Sequence, residues 1–351
     1  MKGTVFVAMS GGVDSSLTAF LLREQGYEVI GATMLLSGSG TEKGSAAEDA
    51  RRVAEWLGIQ HHVFDFRELF RTRVIDYFLK EYAEGRTPNP CVMCNRYVKF
   101  GELFQKGAEL GADHFATGHY ARVERDSAGR YRLRKGADPQ KDQSYVLFSL
   151  TSDVLSRLLL PLGDIGKEET RAMAEKFGIP VAHKPDSQEI CFVPQDDYKA
   201  YLKKYLPECL QKGEITDLDG NVLGHHEGVP LYTIGQRKGL GIAAPDPLYV
   251  VRLDTRERRV TVGSNQDVFA SELTADDLRW MLPEKFSHAG HLTAKIRYGK
   301  REAACDARMM EDGRHIRVTF HEPQRAITPG QFIVFYDGEY VLGGGVIESV
   351  K

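Results

Sequence analysis

The chain has 351 residues, with 46 Lys and Arg against 49 Asp and Glu, a formal charge of −3 and 42% hydrophobic residues. That length exceeds one ordinary domain, so two or three are expected, and no run approaches the ~18 uninterrupted apolar residues of a membrane span. Five cysteines are too few, and odd in number, for a disulfide framework; with an N-terminus that enters a strand at once, they predict a reducing, cytoplasmic setting without a secretory signal. The near-balanced charge neither suggests nor excludes a nucleic-acid partner, because local patches decide that.

In chain order, Thr4–Met9 reads as a strand, Ser15–Gln25 as a helix and Glu28–Leu35 as a strand. A helix over Ala46–Leu57, a strand over His61–Phe66 and a long helical stretch from Leu69 to Ala83 follow. Beyond a Pro-rich loop, a helix over Val98–Leu110 leads into a strand over Asp113–Thr117. Strands alternating with helices of this length predict a parallel sheet covered on both faces, with ligands at the carboxyl ends of its strands. After about residue 200 the helical periodicity gives way to short alternating runs: Tyr249–Leu253, Arg259–Val262, Leu292–Tyr298, His315–Phe320, Phe332–Tyr336 and Val341–Ile347. These predict a small β-rich linker domain and then a closed β-barrel, with Asp337-Gly338 as a hairpin signal. The expected boundaries are 1–200, 201–270 and 271–351.

Between the first strand and the first helix lies Ala8-Met9-Ser10-Gly11-Gly12-Val13-Asp14-Ser15-Ser16. A Gly-rich turn entering a helix N-terminus is an anion site: the backbone approaches a phosphate closely, its amides point at it, and the helix dipole adds positive potential. Ser10, Ser15 and Ser16 offer hydroxyl donors. No Gly-Lys-Ser/Thr ending follows, which excludes the common NTPase phosphate loop. The run resembles the SGGxDS loop of the ATP pyrophosphatase superfamily, whose members split ATP between its α- and β-phosphates and form an adenylated intermediate.

Thr87-Pro88-Asn89-Pro90-Cys91-Val92-Met93-Cys94 holds two thiols three residues apart, and Cys191 lies far downstream. The prolines predict an extended loop. CxxC alone fits half a zinc site, a redox pair, an iron–sulfur ligand pair or a sulfur-transfer site. Zinc would want a second such pair, and a thioredoxin-like redox pair would want its motif at a helix start after a strand, not inside a Pro-bounded loop, so sulfur chemistry remains. Adenylation turns a nucleobase carbonyl oxygen into a leaving group that a persulfide can displace, a second thiol then releasing the sulfur as a disulfide forms. Cys209 and Cys305 match no motif and read as apolar filler.

Six strings now converge: MSGGVDSS (9–16), GRTPNPC with CNRYVKF (85–100), ATGHYAR (116–122), KDQSYVL (141–147), KPDSQEICF (184–192) and YTIGQRKGLG (232–241). The chain resembles the bacterial tRNA-specific 2-thiouridylases, within the ATP pyrophosphatase superfamily. The resemblance implies an α/β fold: an N-terminal adenine-nucleotide hydrolase-like domain, a small central domain and a C-terminal tRNA-binding barrel. It implies ATP with Mg²⁺, held by Ala8, Met9, Ser10, Gly11, Gly12, Val13, Asp14, Ser15, Met34 and Gly118, with Asp14 positioning the metal. Cys94 matches the nucleophile and Cys191 the persulfide carrier; Asn89, Pro90 and Cys91 would line an extruded base. His119, Lys141, Asp142, Gln143, Arg297, Tyr298 and Gln331 match tRNA-contacting positions. For Arg297, a basic strand face formed with Lys295 and Gly299 agrees with RNA phosphate contact. The partners implied are tRNA, modified at the wobble uridine, and a sulfur-carrier or cysteine desulfurase relay protein, with no membrane. One departure stands out. Many family members carry Asp where this chain has Cys91, so Cys91, Cys94 and Cys191 are also candidate ligands for a [4Fe–4S] cluster. Two other readings compete: a small-molecule ligase of the same superfamily, and a catalytically silent RNA-binding protein.

Overall fold

A computed structural model describes residues 2–38, 45–185, 190–281 and 292–351. The chain divides into two compact units. The first comprises residues 1–74, 91–188 and 339–341, the second residues 75–90, 189–338 and 342–351.

The first unit is organised by strands β1 (Thr4–Ala8), β2 (Glu28–Leu35), β3 (Gln60–Asp65), β4 (His114–Ala116) and a two-residue β7 (Leu158–Leu159). They form one sheet in the order β3-β2-β1-β4-β7, every pair parallel. β1 is central, which is why it reads as an unbroken apolar run: Val5, Phe6 and Val7 are wholly buried. Helices α1 (Val13–Glu24) and α2 (Ala46–Leu57) pack on it, burying Leu17, Leu22, Val53 and Leu57 against Val5 and Val7. The strand order reverses between β1 and β4, and a sheet of this kind opens its ligand crevice at that point. The hairpin β5 (Ala121–Arg125) and β6 (Tyr131–Lys135) completes this unit, with Tyr340 paired to Arg134.

In the second unit, β8 (Gly213–Thr216), β9 (Val222–His226), β10 (Tyr249–Asp254) and β11 (Arg259–Gly263) form a small mixed sheet in the order β10-β11-β8-β9. The remaining strands are β12 (Phe269–Trp280), β13 (Leu292–Lys295), β14 (Ala303–Met309), β15 (Ile316–Arg325), β16 (Phe332–Asp337) and β17 (Tyr340–Val350). They run β12-β15-β14-β13-β16-β17, and β12 pairs with β17 to close a six-stranded barrel around Leu273, Ile316, Val318, Ile333 and Phe335. Closure leaves no free sheet edge there. Gly338 supplies the left-handed residue (φ 57°) of the β16–β17 hairpin, as Asp337-Gly338 predicts.

Three expectations need correction. The strand anticipated over Leu292–Tyr298 ends at Lys295; Arg297 and Tyr298 lie in the bend and turn beyond it, so no strand face lines them up with Lys295. Lys295 itself is ion-paired with Glu302 and stacked on Tyr336. The helix expected from Val98 starts at Pro90: an α-turn over Pro90–Met93 runs into a π-helix over Cys94–Leu103 and a last α segment to Glu109. The loop before it is therefore extended only to Asn89, since a proline at the first helical position initiates a helix rather than blocking it.

Candidate active site

The loop after β1 is built to bind an anion. Gly12 caps α1 and provides no side chain to its first amides, which have no intrahelical acceptors. Gly11 takes a left-handed φ of 69°, and a Cβ there would meet the Ala46 carbonyl at 2.5 Å. Gly118, just past β4, would place a Cβ 2.8 Å from the backbone at Asp14 and Ser15. Its lack of a side chain is what lets the two strand ends close on each other. Of the three hydroxyls expected as donors, those of Ser15 and Ser16 both donate to the Gly12 carbonyl, at 3.2 and 2.8 Å, and Ser15 Oγ accepts from the Ser10 amide. They shape the loop, and Ser10 is the exposed member.

Asp14 sits in the first turn of α1, one-third exposed. Its Oδ1 accepts from Lys167 Nζ at 2.6 Å and from the Tyr120 hydroxyl at 2.8 Å. The Lys167 side chain is only 10% exposed and its ammonium lies over the Tyr120 ring. A second cation, Lys184, donates to the Gly11 carbonyl at 3.1 Å and to Asp49 at 2.6 Å. Sequence reasoning missed both lysines. Lys184 opens a motif that was quoted and then read only for its cysteine, whereas nothing local marks Lys167. Ala8 and Met9 are buried; Met9 accepts from Thr33 at its carbonyl and fills the space beside Gly31. Met34 lies half-buried near the end of β2.

The two thiols of the CxxC share the start of one helix. Cys91 is exposed, Cys94 is partly so, and neither is in a disulfide. Protein packed around the sulfurs disfavours the charged form: burial pushes the Cys94 thiol up to about 11, opposed by Lys99 and reinforced by Cys91. Cys91 is raised for the same reason, again with Lys99 opposing. The π-winding explains why Lys99 acts on them, because i→i+5 hydrogen bonding stacks it one turn beyond Cys94. Lys99 Nζ lies 3.4 Å from His119 Nε2, and His119 Nδ1 lies 2.7 Å from Thr117 Oγ1. An ammonium can only donate, so Nε2 accepts and Nδ1 carries the proton. Burial, then Lys99, hold this histidine well below its ordinary value, keeping it neutral. His119 adjoins Gly118, so packed neighbours run without a break from the phosphate loop through Gly118, His119 and Lys99 to the thiols.

Several residues matched to tRNA contacts have partners inside the protein. His119 is buried. The Asp142 carboxylate is buried, accepting from the amides of Gly136 and Ser144 and from the Ser144 hydroxyl. Gln143 clamps Tyr120 at both its amide and its carbonyl. Lys141 is half-buried in the same segment. In the second unit, Gln331 is 4% exposed and its Nε2 donates to the carbonyls of Thr87 and Pro88. The Pro-rich loop is thus tied to the barrel, with the Thr87 amide bonded to the Pro329 carbonyl, Arg86 paired with Glu81, and Asn89 half-buried and Pro90 buried at its end. Tyr298 is exposed, with Arg297 half-buried beside it. Cys191 is exposed in the second unit, and the 186–189 part of its motif lies outside the described residues. The thiols on the Pro90 helix would offer two of the three ligands that leave one iron of a [4Fe–4S] cluster open.

No helix among the described residues is long and apolar enough to cross a membrane. Residues 3–195 match the family described as tRNA methyl transferase HUP domain, 199–264 the tRNA methyl transferase PRC-barrel domain and 270–347 the aminomethyltransferase beta-barrel domain. A protein of Heliobacterium modesticaldum named tRNA-specific 2-thiouridylase MnmA is 52% identical, covering 99% of this chain and 93% of its own length. One from Caldanaerobacter subterraneus, named tRNA-specific 2-thiouridylase MnmA 1, is 50% identical over 99% of both.

Proposed function

Because the chain belongs to the tRNA-specific 2-thiouridylase family, we propose that it converts the wobble uridine of tRNA to 2-thiouridine, consuming ATP and a persulfide sulfur. The observation that carries this reading is the unbroken path, within one unit, from a phosphate loop to a pair of thiols. A methyl transfer, which the family description mentions, has no use for that pairing, and a nitrogen-transferring ligase has no use for the thiols.

The nucleotide phosphates sit on the α1 amides, with Lys167 neutralising charge and Asp14 holding the ammonium in place. ATP carries magnesium, and Asp14, one-third exposed beside the loop, would be the carboxylate to help hold it. The C2 oxygen of the uridine attacks the α-phosphorus and pyrophosphate leaves. The uridine must be extruded for this, at a cost of a few kcal/mol that is lowest in a single-stranded loop. The terminal sulfur of a Cys191 persulfide then attacks C2 and AMP leaves. Cys94 thiolate attacks the Cys191 sulfur, so the S–S bond to the transferred atom breaks and a Cys94–Cys191 disulfide forms. The persulfide is supplied by a relay protein in the cytoplasm. Tyr298, which is exposed, and the half-buried Arg297 beside it are the candidates for gripping the tRNA body.

The test supplies unmodified tRNA, ATP and a persulfide donor to anaerobically purified protein and follows AMP, 2-thiouridine and bound iron. Cys94→Ser should still form AMP and lose thiolation. Absence of tRNA-stimulated pyrophosphate release would put the small-molecule ligase ahead. Thiolation that requires bound iron would replace the persulfide route with a cluster.

A further inference from the structure

The reaction above leaves Cys94 oxidised, and something must return it to a thiol before the next turnover. Two features of the chain bear on that step. Cys91 and Cys94 lie at positions i and i+3 of a helix that begins at Pro90, and Cys91 is close enough to help raise the Cys94 thiol. They also differ in exposure, Cys91 being the more exposed residue. The pair therefore sits at a helix start rather than inside an extended loop.

We propose that Cys91 is the resolving thiol of the cycle: it attacks the Cys94 sulfur of the Cys94–Cys191 disulfide, forming a Cys91–Cys94 disulfide and releasing Cys191 as a thiol. The inference rests on the persulfide reading of the site. In the exchange one S–S bond forms and one breaks, the Cys91 proton passes to the departing Cys191 thiolate, and no net oxidation occurs. A dithiol reductant then attacks the exposed Cys91 sulfur, Cys94 leaves, and the reductant carries away the two oxidising equivalents as its own disulfide. Cys191 is meanwhile free to be reloaded with sulfur.

Geometry permits the closed form. Residues three apart on a helix hold their Cβ atoms about 5–6 Å apart, while a disulfide needs roughly 3.5–4.5 Å, so the turn has to tighten. It can do so cheaply at this place. Cys91 is the second residue of the helix, where amides have no intrahelical bond to break, and Pro90 has no amide at all. The difference in exposure sets the direction, because the residue that must meet an external reductant is the more exposed one.

The experiment runs the full-length protein with tRNA, ATP and a persulfide donor, withholds reductant, quenches with N-ethylmaleimide and maps disulfides by mass spectrometry. The wild type should accumulate a linked Cys91–Cys94 pair. Cys91→Ser should accumulate Cys94–Cys191 instead, and with dithiothreitol supplied its steady-state rate should fall about tenfold relative to its own first-turnover burst. A wild type that holds only Cys94–Cys191, or a Cys91→Ser ratio of burst to steady state like that of the wild type, overturns the proposal. If the serine variant does not fold, Cys91→Ala and the wild-type map carry the same test. A wild type that yields no 2-thiouridine at all sinks the thiolation reading itself, a separate outcome.

Discussion

Lys167 Nζ donates to Asp14 Oδ1 at 2.6 Å, joining the helix Lys167–Lys176 to the first turn of α1 beside the phosphate loop. The pair is mostly buried on the lysine side, so neither charge is well replaced by water when its partner is removed. Hydrogen bonds to charged groups contribute about 1.5–3 kcal/mol. Lys167→Met should therefore lower tRNA-stimulated pyrophosphate release by about tenfold to a hundredfold, by leaving an uncompensated carboxylate where ATP brings its own negative charge. Tyr120→Phe, which removes a neutral donor from the same oxygen, should cost less. Equal losses in the two variants would show that Lys167 does nothing beyond orienting Asp14.

Gly118 offers a steric counterpart. An alanine there would press its Cβ to 2.8 Å from backbone atoms of Asp14 and Ser15, neither of which can swing aside. Overpacking of this kind costs about 1–3 kcal/mol, and here the strain falls on the phosphate loop. Gly118→Ala should raise the KM for ATP more than it lowers the melting temperature. An unaltered KM would mean that the loop shifts freely.

The thiols carry the pH prediction. With Cys94 pushed up to about 11, its thiolate fraction grows with each pH unit well beyond the plateau of an ordinary thiol near 8.5. In a Cys91→Ser background, alkylation of Cys94 by iodoacetamide should still be accelerating between about pH 9 and 10.5. Lys99 favours the thiolate, so Lys99→Met should slow labelling at every pH in that range. A plateau by about pH 9 would mean the thiol is not held in its protonated form.

The alternation of strands and helices was legible, because β1 and β2 are buried runs flanked by long amphipathic helices. The barrel hairpin at Gly338 was legible through its turn chemistry. The β5–β6 hairpin was not: its strands ARVER and YRLRK bury only Ala121 and Leu133, and the arginines are drawn inward by partners such as Asp126, which takes bonds from both Arg130 and Arg132. β12 escaped for a similar reason, since only Leu273 and Ala275 of its twelve residues are fully buried. At the site, the loop and the CxxC were visible as motifs. Lys167 was not, because its meaning comes from a contact 153 residues away in sequence. For Asp142 and Gln331 the motif was legible but the burial was not: a matching position does not reveal whether a polar side chain faces solvent or the backbone of its own fold.

Gln331 makes that last point testable. Its amide serves two buried carbonyls, those of Thr87 and Pro88, and alanine brings no donor to replace it. Leaving buried acceptors without a donor costs about 1–3 kcal/mol. Gln331→Ala should thus lower the melting temperature and loosen the Pro-rich loop, seen as faster proteolysis between Arg86 and Pro90. Arg297→Ala is the comparison. It removes a charge next to the exposed Tyr298, so it should leave the melting temperature unchanged, weaken tRNA binding and reduce the salt slope of that binding by about one unit. A Gln331→Ala protein with wild-type stability and weakened tRNA binding would restore Gln331 to the RNA interface and remove the loop-tethering role assigned to it here.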